Sequence, residues 1–171
     1  HEDAFKNRMV KLKDNRTVSL PAPNRADLIK AGYEMVEKRS KSLWIEDRIL
    51  VTGEIPRVND FEKGFPIHYS EIDGKMENDP LIKDDQAVVL NIEGKGLVVI
   101  SGCAHAGIIN SIKYAMEITG EDRIYAVIGG MHLTGGIFEP LIPRTIDELE
   151  QLNSVSMSVY TSPFSSFQWL F

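Results

Sequence analysis

The sequence predicts an α/β fold, and three neighbouring patterns predict it. The runs at residues 86–92 and Gly96–Ser101 are apolar and β-branched, and the Glu93-Gly94-Lys95 turn between them suits a hairpin. Directly after them the hydrophobic period changes. Ile108, Ile109, Ile112, Ala115, Met116 and Ile118 recur at helical offsets, enough for one broad buried face. A third apolar run, at 124–128, follows the helix. Hairpin, helix and strand in that order make an α/β arrangement, with the strand after the helix expected parallel to the one before it.

The remaining elements are read in chain order. Residues 1–40 carry mixed charge. Within them 26–39 has helical character through Leu28, Ile29, Met35 and Val36, with Gly32 as the weak point. Pro21-Ala22-Pro23-Asn24 before it is a turn or irregular connection. Short strands are expected at 43–45 and 49–53, joined by the charged turn Glu46-Asp47-Arg48, and Gly53-Glu54-Ile55-Pro56-Arg57 closes the second. Residues 61–81 are rich in Gly, Pro, Asp and Asn without lasting periodicity. They read as one long loop, either a cover over a binding site or plain surface. After the 108–119 helix, Gly120 is the stop signal and Asp122-Arg123 leads into the next strand. A last helix is expected at 144–152, with Pro143 at its start and Glu148 and Glu150 toward solvent. The end, Phe164-Ser165-Ser166-Phe167-Gln168-Trp169-Leu170-Phe171, is apolar-aromatic on a Ser-rich stretch. There is no internal repeat or heptad array.

Composition narrows the function classes. With 171 residues, 43% hydrophobic and 26% charged, the chain can build one ordinary core but not two large domains. Its net charge of −6 gives no electrostatic footprint for nucleic acid or an anionic membrane, and no apolar run approaches the roughly 20 residues of a membrane span. A small phosphorylated substrate remains compatible, because local cations or a metal outweigh the global sign. One Cys excludes an internal disulfide, which fits a cytoplasmic location. The chain begins at His1 without an initiator Met, so it is expected to be processed, trimmed or part of something longer.

The stretch most suited to chemistry is Ser101-Gly102-Cys103-Ala104-His105-Ala106-Gly107, where an apolar strand runs into two metal-ligand types. The strand at 124–128 ends similarly, in Gly129-Gly130-Met131-His132. Residues just past the carboxyl ends of neighbouring strands form the usual ligand crevice of an α/β sheet. His105, His132 and Cys103 are therefore the candidate metal ligands. Thiolate and imidazole suit zinc, and imidazole also suits iron or manganese. The bland alternative is a space-filling Cys and a turn-capping His. Gly107 opens the helix, so free N–H groups there could hold a phosphate or carboxylate, with Asn110 as an added donor or simply a surface residue. Asp85 is the candidate catalytic carboxylate, reaching in to orient a ligand imidazole, or else a charged strand boundary. His68, in the long loop, either touches substrate or is exposed. His1 reads as a frayed end, or as a ligand candidate if the amino terminus is cut from something larger, and Arg57, Lys63 and Arg144 read as surface cations. No nucleophile elbow, phosphate loop, dinucleotide fingerprint or Cys-x-x-Cys unit is present.

Taken in order, Gly53-Glu54-Ile55-Pro56-Arg57, Asp84-Asp85-Gln86-Ala87, Ser101-Gly102-Cys103-Ala104-His105-Ala106-Gly107-Ile108-Ile109-Asn110 and Gly129-Gly130-Met131-His132-Leu133 resemble the carboxyl-terminal part of the metallo-β-lactamase-fold hydrolases. The nearest subgroup is that named for 7,8-dihydropterin-6-methyl-4-(β-D-ribofuranosyl)-aminobenzene-5′-phosphate synthase. The resemblance implies a four-layer αββα sandwich with a zinc centre, dinuclear in the intact family, at one edge between two sheets. It makes residues 1–153 the carboxyl-terminal portion of such a domain and 154–171 an atypical tail. It also implies that His105 is a metal ligand, that Cys103 stands where a strand turns into the site, and that His132 shares the same wall. His1-Glu2-Asp3-Ala4-Phe5 looks like a family stretch of His, small residue and aromatic. Two family elements are missing: His-x-His-x-Asp-His, which belongs before His1, and a late His-Cys-Thr-Gly, where this chain reads Ser154-Val155-Ser156-Met157-Ser158-Val159-Tyr160-Thr161-Ser162-Pro163. The implied activity is that of a hydrolase, or a phosphoribosyl-transfer synthase, using metal-activated water on a small substrate. The 171 residues alone are expected to be weak or inactive. The alternatives are a non-catalytic ligand-binding or scaffold module that lost its metal centre, and a chain completed by a second copy or by a separate first half.

Overall fold

Backbone hydrogen bonding sorts the strands into two sheets. The computed structural model describes residues 1–36 and 42–152, together with the backbone of 156–159. β1 (Arg8–Lys11), β2 (Thr17–Leu20), β5 (His68–Ile72) and β6 (Lys75–Asn78) form an antiparallel sheet in the order β2-β1-β5-β6. β3 (Leu43–Ile45), β4 (Ile49–Val51), β7 (Ala87–Ile92), β8 (Gly96–Ser101), β9 (Ile124–Gly129) and β10 (Ser156–Val159) form the other, in the order β10-β9-β8-β7-β4-β3. The helices are α1 (Arg25–Lys30), α2 (Ile108–Thr119) and α3 (Ile142–Gln151). The molecule is thus a mixed α/β fold, as the hairpin-helix-strand succession predicts.

The core lies where α2 and α3 cover the six-stranded sheet. Leu50, Val89, Leu97, Val99, Ile124 and Val127 from the strands pack with Ile108, Ile109, Ile112 and Ala115 of α2 and Leu149 of α3. β8 is the central strand, buried at every position but Ile100. It pairs antiparallel with β7 and parallel with β9, because α2 returns the chain to the starting edge before β9 begins. The register puts Ser101 opposite Gly129, so the two strands end side by side.

Several expectations change. The helix expected over 26–39 is only α1, capped by the Asn24 side chain. It buries no residue, so nothing tertiary extends it past the turn at Gly32, and 37–39 lie outside the described residues. The supposed long loop 61–81 contains the β5-β6 hairpin, turned by Asp73-Gly74 with φ of 49° and 76°. Asp-Gly is a strong signal for that two-residue turn. It was hidden because β6 is exposed throughout and shows no alternation. The β1-β2 hairpin is hidden for a different reason: Thr17-Val18-Ser19-Leu20 does alternate, but over only four exposed positions. The strand expected at 49–53 stops at Val51, and α3 begins at Ile142, after a 3-10 turn at Glu139–Leu141. Glu148 does not simply face solvent: its carboxylate accepts from Lys113 Nζ at 2.8 Å and ties α3 to α2. Within the atypical tail, β10 joins the sheet beside β9, and the residues after it lie outside the described ones. Among the described residues no helix is long and apolar enough to cross a membrane.

Candidate functional site

The parallel β8-β9 pair delivers its two exits to one place. The Gly130 N–H donates to Gly102 O at 3.1 Å, stitching the exit loops together. Gly129 has φ 127° and lies so close to Ser101 that a Cβ would collide with its carbonyl oxygen. Beyond the stitch, Ala104 and His132 hold positive φ values of 53° and 48°, a conformation that side-chain-bearing residues rarely adopt. The outcome is convergence: the imidazoles of His105 and His132 have centroids 4.7 Å apart at 66°. Burial pushes both down to about 4, and neighbouring imidazoles add to it, His68 at His105 and His105 at His132. Both rings are therefore neutral at pH 7, the form that ligates metals.

Aromatic rings wall the pair. Phe65 lies parallel to His105 (6.1 Å, 9°) and edge-on to His132 (4.9 Å, 64°), while Phe138 meets His132 at 4.9 Å and Phe65 at 5.1 Å. His68 is not an exposed loop residue. It sits on β5 with 2% exposure, its Nδ1 2.9 Å from Asp79 O, and its ring lies 6.4 Å from that of Phe65 at 26°.

The carboxylates act on the backbone. Asp85 accepts from the N–H of Ala106 at 2.8 Å and from that of His105, so it fixes the loop between β8 and α2 rather than an imidazole nitrogen. Burial pushes its carboxyl up, opposed by those N–H donors and by Arg57. Asp84 takes Arg8 through both oxygens, at 2.9 and 2.5 Å, and so links the two sheets. Cys103 reaches the surface, and packing within its loop together with the charge of Asp85 pushes its thiol up. Arg57 is half-buried, donating to Ile55 O at 3.0 Å and to Leu81 O. Arg144 pairs with Asp60 at 2.5 Å and lies over the Phe61 ring, whereas Lys63 is exposed as expected. His1 caps a short 3-10 turn, its Nδ1 accepting from Asp3 N–H.

The anion site expected at the start of α2 is filled from within. Glu62 accepts from Ile109 N–H at 3.0 Å and Asn110 N–H at 2.8 Å, and a Cβ on Gly107 would collide with its carboxylate. Asn110 is not at the surface. It is fully buried, its Oδ1 accepting from Val58 and Asn59 N–H and its Nδ2 donating to Ala106 O and Glu62 O. The Gly107 N–H donates to Ala104 O, and both amide atoms of the Asn110 side chain are engaged within the protein. Glu62, Phe65 and Phe138 are the residues that sequence reasoning missed. Asn59 and Glu62, three apart, were the local hint, because Asn59 Oδ1 accepts from Glu62 N–H in a side-chain turn. The partner of Glu62 lies far along the chain, beyond any local signal.

A metal fits this site incompletely. Two imidazoles converge, yet among the described residues no group of three or more His, Cys, Asp or Glu side chains could hold an ion. A catalytic zinc takes three protein ligands. Cys103 and Asp85 do not complete the set.

Comparison with known proteins bears on the fold. No protein-family model matches the chain. It is 37% identical over 81 residues to 7,8-dihydropterin-6-methyl-4-(β-D-ribofuranosyl)-aminobenzene-5′-phosphate synthase of Methanocaldococcus jannaschii, covering 46% of this chain and 27% of that protein. A second protein of that organism, described as uncharacterized, is 29% identical over 168 residues, 97% of this chain and 58% of its own length. The crystal structure of a metal-dependent hydrolase of the β-lactamase superfamily superposes with a TM-score of 0.71 at 22% identity, over 92% of this chain and 56% of that one. The chain thus spans 27% and 58% of these two curated relatives. The structural likeness establishes the fold.

Proposed function

From a chain with the metallo-β-lactamase fold and two converging imidazoles, we propose that it is part of a metal-dependent hydrolase in which His105 and His132 are donors to the metal. The observation that carries this is the 4.7 Å approach of two neutral rings at adjacent strand exits. A bound divalent ion supplies Lewis acidity and lowers the pKa of a bound water toward 7. Zinc suits imidazole best here, with iron and manganese compatible. The remaining donors come from residues other than these two, in a further segment or a second chain, and a dinuclear centre belongs to that completed assembly. The chain's own residues do the rest. Asp85 holds the His105 loop by its backbone, and Phe65 and Phe138 keep water from the flanks of the imidazole pair.

The substrate class is a small molecule, and a phosphate-bearing one is supported by the name of one relative, which contains a 5′-phosphate. That relative is named a synthase, which supports a synthase as the second reading, of the phosphoribosyl-transfer kind in our reading. A cytoplasmic location goes with this reading and with the lone cysteine. A non-catalytic ligand-binding module is the alternative, supported by the lack of a third donor beside His105 and His132 among the described residues.

The test is metal content by elemental analysis after zinc loading and dialysis, with bis-p-nitrophenyl phosphate turnover measured in parallel. Zinc at less than one per chain, lost in both His105→Ala and His132→Ala, with weak or absent turnover, is the expected result. Zinc retained undiminished in both variants would overturn the assignment.

A further inference from the structure

The segment that carries Phe65 to the imidazole pair is held by a buried polar latch. Glu62 is 6% exposed, and burial pushes its carboxyl up while N–H donors oppose the shift. Its Oε1 accepts from Ile109 N–H at 3.0 Å, and its Oε2 from Asn110 N–H at 2.8 Å and Asn59 Nδ2 at 2.7 Å. Asn110 returns the grip by accepting from Val58 and Asn59 N–H. Three residues on, the Phe65 N–H donates to Pro80 O at 2.7 Å. The helix turn that Glu62 grips begins three residues after His105. Latch, aromatic ring and imidazole therefore lie along one short path.

We propose that Glu62 is a positioning residue: its carboxylate latches the 58–65 segment onto the first turn of α2, sets the Phe65 ring against His105 and His132, and so fixes the orientation of both imidazoles. The Phe65 ring lies parallel to that of His105 with centroids 6.1 Å apart and meets His132 edge-on at 4.9 Å, so its placement limits where both imidazoles can turn. Hydrogen-bond partners of metal-binding imidazoles typically matter about 10–100-fold in metal affinity, and a ring that acts without a hydrogen bond is expected at the lower end of that range. The proposal deepens the hydrolase reading and rests on it only for the consequence to metal binding.

The test uses the full chain labelled with 4-fluorophenylalanine. Its seven Phe residues give a small set of fluorine signals, and Phe65→Leu identifies that of Phe65. Glu62→Gln keeps the side-chain shape but turns an NH2 group toward a backbone N–H. The Phe65 signal is expected to move while most other ring signals stay, and Asn59→Ala is expected to move it the same way to a lesser extent. A Phe65 signal unmoved in folded Glu62→Gln overturns the latch, since a residue needed only for stability leaves it in place in the folded population. Should Glu62→Gln not fold, Asn59→Ala decides by the same criterion. Cobalt(II) titration forms the second arm, with affinity expected to fall about tenfold in Glu62→Gln. Unchanged cobalt affinity despite a moved Phe65 signal overturns the claim that the latch orients the imidazoles. Absence of cobalt binding in the parent chain means that His105 and His132 do not hold a metal by themselves, and the fluorine signals alone then decide the latch.

Discussion

Burial keeps the rings of His105 and His132 neutral at pH 7. Both ring values fall from 6.5 to about 4 in the folded chain, burial being the main cause. Between those pH values the unfolded chain binds protons that the folded one refuses. The two histidines therefore contribute less stability as pH falls from about 6.5 toward 4, and their contribution levels off below that. Urea midpoints of the parent and of a His105→Gln, His132→Gln double variant at pH 7.5 and 5 isolate this term. The parent is expected to lose more than the variant on acidification, and equal losses would contradict the values. At the strand exit, Gly129→Ala adds a Cβ against the Ser101 carbonyl at a φ of 127°. Backbone strain alone costs about 1–3 kcal/mol, and the collision adds to it. A drop in urea stability of at least that size is expected, and a neutral effect would show that the exit loops part easily. The strand exit at Gly129 and His132 was legible from the sequence, as a Gly-Gly pair ahead of a His. The role of Glu62 was not, because a carboxylate in a polar loop gives no sign that it caps a distant helix.

Elements were legible in proportion to their burial. α2 announced itself because Ile108, Ile109, Ile112 and Ala115 repeat at the spacing of one buried face, and all four are at most 1% exposed. Ile112→Ala is accordingly expected to cost about 2–5 kcal/mol, read as a lowered urea midpoint with an unchanged slope. A cost below about 1 kcal/mol would mean that the α2 face is not tightly packed. The Lys113–Glu148 bridge between α2 and α3 is partly exposed, so Lys113→Ala should change stability by only about 0–1 kcal/mol in the same measurement. β6 left little trace because an exposed strand need not write alternation into the sequence, and β2 alternates in Thr17-Val18-Ser19-Leu20 but over only four exposed positions. Their clearer signs were turns, such as Asp73-Gly74. Likewise α1 is shorter than its apolar spacing suggested, since isolated helical pattern without packing does not propagate.

At the scale of the whole molecule, the two sheets are joined beside the candidate site by the Arg8–Asp84 pair and the Phe65 and His68 rings. A ligand that binds the folded chain raises its apparent stability by mass action. Zinc at millimolar concentration should raise the thermal midpoint of the parent by only a few degrees, and that of His105→Ala not at all; a rise of equal size in both would place the metal elsewhere. The sequence by itself determined the α/β class, the central hairpin and α2, and the strand exits where His105 and His132 stand. Those rest on local periodicity and turn chemistry, which every residue carries with it. Only the tertiary structure decided that the two rings meet, that Phe65 and Phe138 enclose them, and that Glu62 rather than a ligand occupies the start of α2. Each of those contacts joins residues far apart in the chain, and their meeting depends on sheet register and helix packing rather than on any neighbour in sequence.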